Sequence, residues 1–294
     1  MERPLDHIEA FEEARPMLTG LAYRLLGSRA EAEDVVQDTF LAWDAANRDE
    51  IENRRGWLTS VATRRSLDVL KSARRSRTEY VGSWLPEPME TAQEGTPETE
   101  FLMSESVTMA FLLVLERLAP KERAAFILHD VFGMEYAEIA ESLQVSEAAC
   151  RKLASRARVN VRSAGNTRPA PKHIQERLVE AFQSAVTTGV ADGLAALLSS
   201  HAVLTADSGG KADSIRKPLH GPDVILQFVT RYLSRWYANY QVAVAEINAQ
   251  RALIARAGTR TEAVVTFAVG GDNRVEEIMI TRNPDKLRRF DLED

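Results

Sequence analysis

Apolar positions recur at helical spacing through the first half of the chain and at strand spacing through the last third. Two proline-bearing polar breaks interrupt them. The run PMLTGLAYRLLG predicts a helix that stops at Gly27, and Ser28 is placed to cap the next, RAEAEDVVQDTFLAWDAA, which carries acids in its first turn. After a polar break at residues 47–53, GWLTSVATRRSLDVLKSARRS predicts a third helix, so residues 1–78 read as one compact helical domain. Residues 79–100 (YVGSWLPEPMETAQEGTPETE from Tyr80 on) are acidic and broken by Pro86, Pro88 and Pro97, which predicts a linker. Trp84 and Leu85 have no use in a plain tether and are expected to dock.

Helical patterning resumes over residues 101–164: ESVTMAFLLVLERL, KERAAFILHDVFG behind Pro120, YAEIAESL, and EAACRKLASRAR after the short turn QVS. A second linker, 165–171, precedes a different pattern over 172–294. Two helices, HIQERLVEAFQSAV and VADGLAALLSS, lead into strand-like AVLTADS and SIRKPLHG; a helix, PDVILQFVTRYLSRW, is then followed by YQVAVAEIN, RALIARAG, EAVVTFAVG and RVEEIMITR. Helices first and a strand meander afterwards predict an α+β domain behind two mainly helical ones.

The segment around residue 140 has the marks of a helix-turn-helix. Ile139, Ala140 and Leu143 give the first helix an inner face, Val145 is the inward residue of the turn, and Ser146 is the N-cap of the second helix. Ala149, Leu153 and Ala157 form the expected core stripe of that helix. Arg151, Ser155, Arg158 and Arg162 are then opposite the stripe, Ala148 permits close approach, and Lys152 and Arg156 flank the seam where phosphates lie. Arg151 has the reach to read a guanine edge.

Charge changes the picture further. The 294-residue chain carries a net charge of −6, which argues against nucleic acid until its distribution is considered. Arg54, Arg55, Arg64, Arg65, Lys71, Arg74, Arg75 and Arg77 face only Asp68, and Arg151 to Arg162 holds no acid. Two basic islands on an acidic chain suit a DNA binder that also has a protein partner. An acidic helix face interleaved with apolar residues (Asp34, Val35, Gln37, Asp38, Phe40, Leu41) suits that partner. Arg54 and Arg55 before Trp57 are fit to hold a single strand, though Trp57 reads equally as a core residue. The lone Cys150 excludes an internal disulfide, and the five scattered histidines suggest no metal site. No stretch is apolar enough for a membrane helix, and the acidic N-terminus is not read as a signal peptide, so a cytoplasmic protein without cofactor is expected.

In order and spacing, DVVQDTFLAWDAA, GWLTSVATRRSLDVLK and LERLAPKERAAFILHDVFGMEYAEIAESLQVSEAACRKLASRAR resemble regions 2 and 4 of extracytoplasmic-function (ECF) sigma factors. The resemblance implies core RNA polymerase as partner, with the Asp34–Leu41 face on the β′ clamp helices and a further contact to the β flap. It implies that Arg54, Arg55, Trp57, Arg64 and Arg65 handle the melted −10 promoter element. Ser146, Ala148, Arg151, Lys152, Ser155, Arg156 and Arg158 would meet the −35 element.

The C-terminal third resembles the SnoaL-like cone of polyketide cyclases and ketosteroid isomerases, which some ECF sigma factors carry. Three motifs of that subgroup are similar here: WLPEP (Trp84, Leu85, Pro86 to Pro88), Asp207-Ser208-Gly209-Gly210-Lys211, with Ser208 where a glycine is commoner, and Asn283-Pro284-Asp285-Lys286-Leu287. These imply that the extension tunes sigma activity, and the two C-terminal motifs are expected to meet and hold the linker. Three alternatives stay open: a small effector in the cone, a ligand-responsive one-component regulator, and a fused small-molecule enzyme using His201, Asp207, His220 or Asp285.

Overall fold

A computed structural model describes residues 6–47, 50–78, 80–91, 107–163 and 169–292, without the side chains of 6 and 73–78. The side chains of Arg74, Arg75 and Arg77 of the first basic island, and Pro97 of the linker, therefore lie outside the description. The chain forms two compact units, one from residues 1–78, 94–107 and 112–164, the other from 79–93, 108–111 and 165–294.

In the first unit α1 (Asp6–Leu26), α2 (Arg29–Asp44) and α3 (Arg54–Thr78) pack on one another. Ser28 accepts the Glu31 amide at 3.4 Å, which caps α2. Trp43 is fully buried, donates its indole N–H to the His7 carbonyl at 2.8 Å, and lies 5.6 Å from the Trp57 ring. The later helices are α4 (Met109–Glu116), α5 (Pro120–Phe126, continued by a π-helical turn over Ile127–Val131), α6 (Tyr136–Leu143) and α7 (Glu147–Ser163). Buried Arg123 on α5 joins these to the first bundle. It donates to the Leu25 carbonyl of α1 and pairs with Glu116 at 2.6 Å.

The second unit starts with α8 (Lys172–Thr188) and α9 (Asp192–Leu197). Strands β1 (Leu198–Asp207), β2 (Leu219–His220), β3 (Gln241–Ile247), β4 (Gln250–Ala257), β5 (Arg260–Val269) and β6 (Val275–Thr281) form one sheet, ordered β2-β1-β6-β5-β4-β3. SIRKPLHG, expected as a strand, contributes only the two residues of β2. Between β2 and β3 runs α10 (Pro222–Phe228), continued by a π-helical turn over Val229–Leu233 and by α11 (Ser234–Tyr237). The chain ends on α12 (Pro284–Leu287) and a 3-10 turn, Arg288–Phe290. All pairings are antiparallel except β1 with β6. One face of the sheet shares a core with the helices, where Phe182 of α8 meets Phe267 of β5 edge-on at 5.5 Å. The other face has a smaller core of Ile254, Val264, Leu287 and Phe290. Cover on both faces explains why β5 reads as an almost unbroken apolar run.

Phe182→Ala should cost the second unit about 3–5 kcal/mol, the usual loss for a buried aromatic. Urea denaturation checks this: a midpoint unchanged from the parent would show that Phe182 is not a keystone of that core.

Candidate functional site

Three groups of residues were expected to work. On α2, Asp34, Gln37, Asp38 and Leu41 are exposed, with Leu41 at 58%. Phe40 is half-buried, its ring edge-on to Phe11 at 5.0 Å. Val35 is a correction: it is buried with Val36 and Thr39 and faces the bundle. Its neighbours in sequence are polar, but its position on the helix wheel is the inner one.

On α3 the helix already begins at Arg54, and Asn53 caps it by accepting the Gly56 amide at 2.9 Å. Arg55, Arg64 and Arg65 are exposed, while Arg54 and Trp57 are half-buried. Trp57 lies near Trp43 and also lines a cavity of about 600 Å³. That cavity is also lined by Arg64 and by Glu138, Glu141 and Ser142 of α6. Ser60 of α3 and Ser142, both in that lining, share a hydrogen bond.

The helix-turn-helix is formed by α6 and α7. Gln144 ends α6 in the left-handed conformation (φ 52°), and Ser146 accepts the Ala149 amide at 3.2 Å. The core stripe of α7 is Cys150, Ala154 and Ala157, with Ala149 and Leu153 only at its edge. Cys150 packs as a small hydrophobe, and burial pushes its thiol pKa up, so it stays protonated. This rotates the outer face. Ala148, Lys152, Ser155 and Arg156 now point away from the core, together with Val159, which is 64% exposed. Arg158 is not on that face: it donates to Asp130 and to the Tyr136 hydroxyl, both at 2.7 Å. Arg151 lies at the flank, paired with Glu147 and stacked over the Tyr136 ring at 4.5 Å. Arg156 has only a 3.9 Å approach to Glu122 and is 71% exposed.

The third group assembles in the second unit. Because β1 and β6 run parallel, with Asp207 opposite Thr281, their C-terminal ends emerge side by side. The DSGGK and NPDKL segments follow those ends directly and meet there. Asp207 is fully buried. Its carboxylate accepts the Lys286 ammonium at 2.7 Å, the Tyr80 hydroxyl at 2.5 Å, the Leu85 amide at 2.9 Å and the Gly209 amide at 3.0 Å. Lys286 also donates to the Leu85 carbonyl and lies 4.3 Å from the Trp84 ring. Asn283 donates to the Tyr80 oxygen at 2.9 Å and caps α12 by accepting the Asp285 amide. Pro284 is the first residue of α12, and Asp285 pairs with Lys211 at the surface. Gly209 and Gly210 both have positive φ, and a Cβ there would meet Asn283 at 2.6 Å and Val81 at 3.0 Å.

The linker is thus gripped by side chain and backbone. Leu85, Pro86, Glu87, Pro88 and Met89 are buried. Leu85 and not Trp84 is the plug, since Trp84 is half-exposed beside Lys286. Beyond it, Met89 and Asn248 exchange hydrogen bonds at 3.0 and 2.8 Å, and the Thr91 amide donates to the Glu246 carbonyl at 3.0 Å. Asn248 and Ala249 both have positive φ, in the tight turn joining β3 to β4. The linker therefore adds a short extended piece to the end of an edge strand. Tyr80, Asn248 and Thr91 were not singled out from sequence; the aromatic and apolar residues scattered through an acidic linker were the available signal. Of the acid–base candidates, Asp207 is committed to the linker, Asp285 to Lys211, and His201 and His220 are exposed.

Burial, and then the bond to Asp207, push the Tyr80 phenol well above its ordinary pKa, so it remains a donor. Tyr80→Phe removes one hydrogen bond to a buried charge, a loss of about 1.5–3 kcal/mol. Amide exchange at Leu85 should then speed up roughly 10- to 100-fold; unchanged exchange would show that Tyr80 does not hold the linker.

Comparison with known proteins identifies the family. The Sigma-70 region 2 model matches residues 10–76, and the Sigma-70 region 4 model matches residues 108–161. The ECF RNA polymerase sigma factor SigJ of Mycobacterium tuberculosis is 40% identical over 235 residues, covering 78% of this chain and 74% of its own. The probable ECF RNA polymerase sigma factor SigI of the same organism is 35% identical over 194 residues, covering 64% of this chain and 66% of its own. The crystal structure of M. tuberculosis SigJ matches with a TM-score of 0.75 at 35% identity, covering 96% of this chain and 98% of that one. The chain belongs to the extracytoplasmic-function RNA polymerase sigma factors and carries a C-terminal α+β domain behind sigma regions 2 and 4.

Proposed function

We propose that this sigma factor binds core polymerase through the exposed Asp34, Gln37, Asp38 and Leu41 of α2, and through the region 4 domain at the β flap. Lys152, Ser155 and Arg156, with Ala148 allowing close approach, meet the −35 duplex; Arg54, Arg55, Trp57, Arg64 and Arg65 handle the opened −10 strand. Arg151 reaches DNA only by leaving Glu147. Supporting the −35 assignment is a basic outer face on a capped second helix whose inward stripe is Cys150, Ala154 and Ala157.

The C-terminal domain, on this reading, sets sigma activity by holding the linker between regions 2 and 4. The observation that carries it is the fully buried Asp207, whose partners include Tyr80 and Leu85 of the linker. A tether captured along its length has less reach than a free one. Capture would therefore limit how the two promoter-binding regions spread. A one-component regulator and a fused enzyme draw no support from the relatives named above, which are sigma factors.

Purified core polymerase supplied with the full chain should start transcription at discrete new sites on genomic fragments; no new starts and no core binding would sink the reading. Lys152→Ala should weaken promoter affinity and flatten the salt dependence by about one unit of slope, as loss of one phosphate contact does. Lys286→Met, which releases the linker from Asp207, should change transcript yield without moving the start sites. An unaltered yield would remove the regulatory role.

A further inference from the structure

A cavity of about 240 Å³ opens in the second unit between β1, β6, residues 213–215 and the helical run from Phe228 to Trp236. Its wall is aromatic and aliphatic, with Phe228, Tyr232, Trp236, Ile215 and Ile280 among the lining. The Phe228 and Tyr232 rings stack at 6.0 Å. Arg282 stands among them as a permanent positive charge, only 9% exposed.

The guanidinium is fixed but incompletely satisfied. Its carbon lies 3.0 Å from the centroid of the Trp236 ring, which sets its plane. Nη1 donates to the Asp213 carbonyl. Nη2 comes no nearer than 3.9 Å to Glu262, which Arg260 also claims at 3.2 Å. Nε is buried without a hydrogen-bond partner among the described residues, and so is the Ser214 hydroxyl of the same lining. A guanidinium offers five donors, and a buried one left unmet is costly unless water or a ligand takes it. Two arginines share one glutamate, and the Asp213 carboxylate, also among the lining residues, is exposed.

We propose that this cavity binds a small monocarboxylate with an aromatic or compact aliphatic body, its carboxylate on Arg282 and Ser214 and its body against Phe228, Tyr232 and Ile215. Planar carboxylate matches planar guanidinium. Size agrees: an apolar cavity of ~150 Å³ takes a benzene, so this one has room for one substituted ring or two fused rings. The site does not depend on linker capture for its affinity. It deepens that reading in one respect, because the Arg282 amide donates to the Asp207 carbonyl at 2.6 Å and Asn283 is the next residue. A carboxylate on Arg282 is therefore one residue from the grip on Tyr80.

Calorimetric titration of the full chain tests this with 2-naphthoate and its neutral isostere 2-naphthamide, and the readout is binding, not transcription. Naphthoate should bind at least tenfold tighter than the amide, and Arg282→Met should erase that preference. Ile215→Trp, which fills the cavity and leaves the arginine in place, should weaken both probes tenfold or more. It also stands as the test if Arg282→Met does not fold. Equal affinity of the two probes, no naphthoate binding at millimolar concentration, or unchanged binding in Ile215→Trp would each overturn the proposal.

Discussion

The second unit is organised around one buried ion pair, Asp207 with Lys286. A carboxylate with no solvent exposure and a lysine at 9% are expensive to bury, and such a pair persists only if hydrogen bonds meet its remaining lone pairs and protons. Here the linker supplies part of them, through the Tyr80 hydroxyl and through the amide and carbonyl of Leu85. The pair and the linker therefore depend on each other. If the linker leaves, a charge pair loses three of its hydrogen bonds; if either charge is removed, the other stays buried without its counter-ion. A purely apolar groove would hold many segments of similar hydrophobicity. An ion pair that needs a phenol and a particular backbone amide holds this one, in this register.

The topology explains why that pair can exist. In an antiparallel pair the two segments after the strands would leave at opposite ends. Parallel pairing of β1 with β6 brings the ends after Asp207 and Thr281 to one edge of the sheet, which is where open sheets with parallel strands commonly hold their ligands. In this chain the ligand at that edge is its own linker. The far end of the same linker is received by the β3–β4 turn, where Asn248 with positive φ presents both an amide and a side-chain carbonyl to Met89.

The sequence was legible where local rules decide. Ser28 and Ser146 are N-caps because a hydroxyl before a helical run has few other uses, and the apolar runs over 250–257 and 260–269 are central strands. Legibility failed where the deciding partner is distant or the residue ambiguous. The stripe of α7 runs through Cys150 and Ala154 in place of Ala149 and Leu153, because Cys150 packs as a small hydrophobe. Arg158 looks like a DNA contact until Asp130, 28 residues earlier, is folded against it. Val35 sits among Asp34, Gln37 and Asp38 yet points inward, since three neighbours in sequence occupy three directions on a helix. Tyr80 meets residues more than 120 positions away, which periodicity does not encode.

These misreadings share a cause with the function argued for the chain. Charged residues whose partners are intramolecular, such as Arg158 paired with Asp130, look from sequence like contacts for an external partner. Folding withdraws them, and the outer face of α7 is left with Lys152, Ser155 and Arg156. Surface charge pairs such as Arg151 with Glu147 are worth little and exchange readily for a phosphate. The buried pair at Asp207 does not exchange so cheaply, because its competitor is water in a site from which water is excluded. The charges on the outer face of α7 are thus cheaply released, whereas those of Asp207 and Lys286, to which the linker supplies a phenol, a backbone amide and a carbonyl, are dearly held.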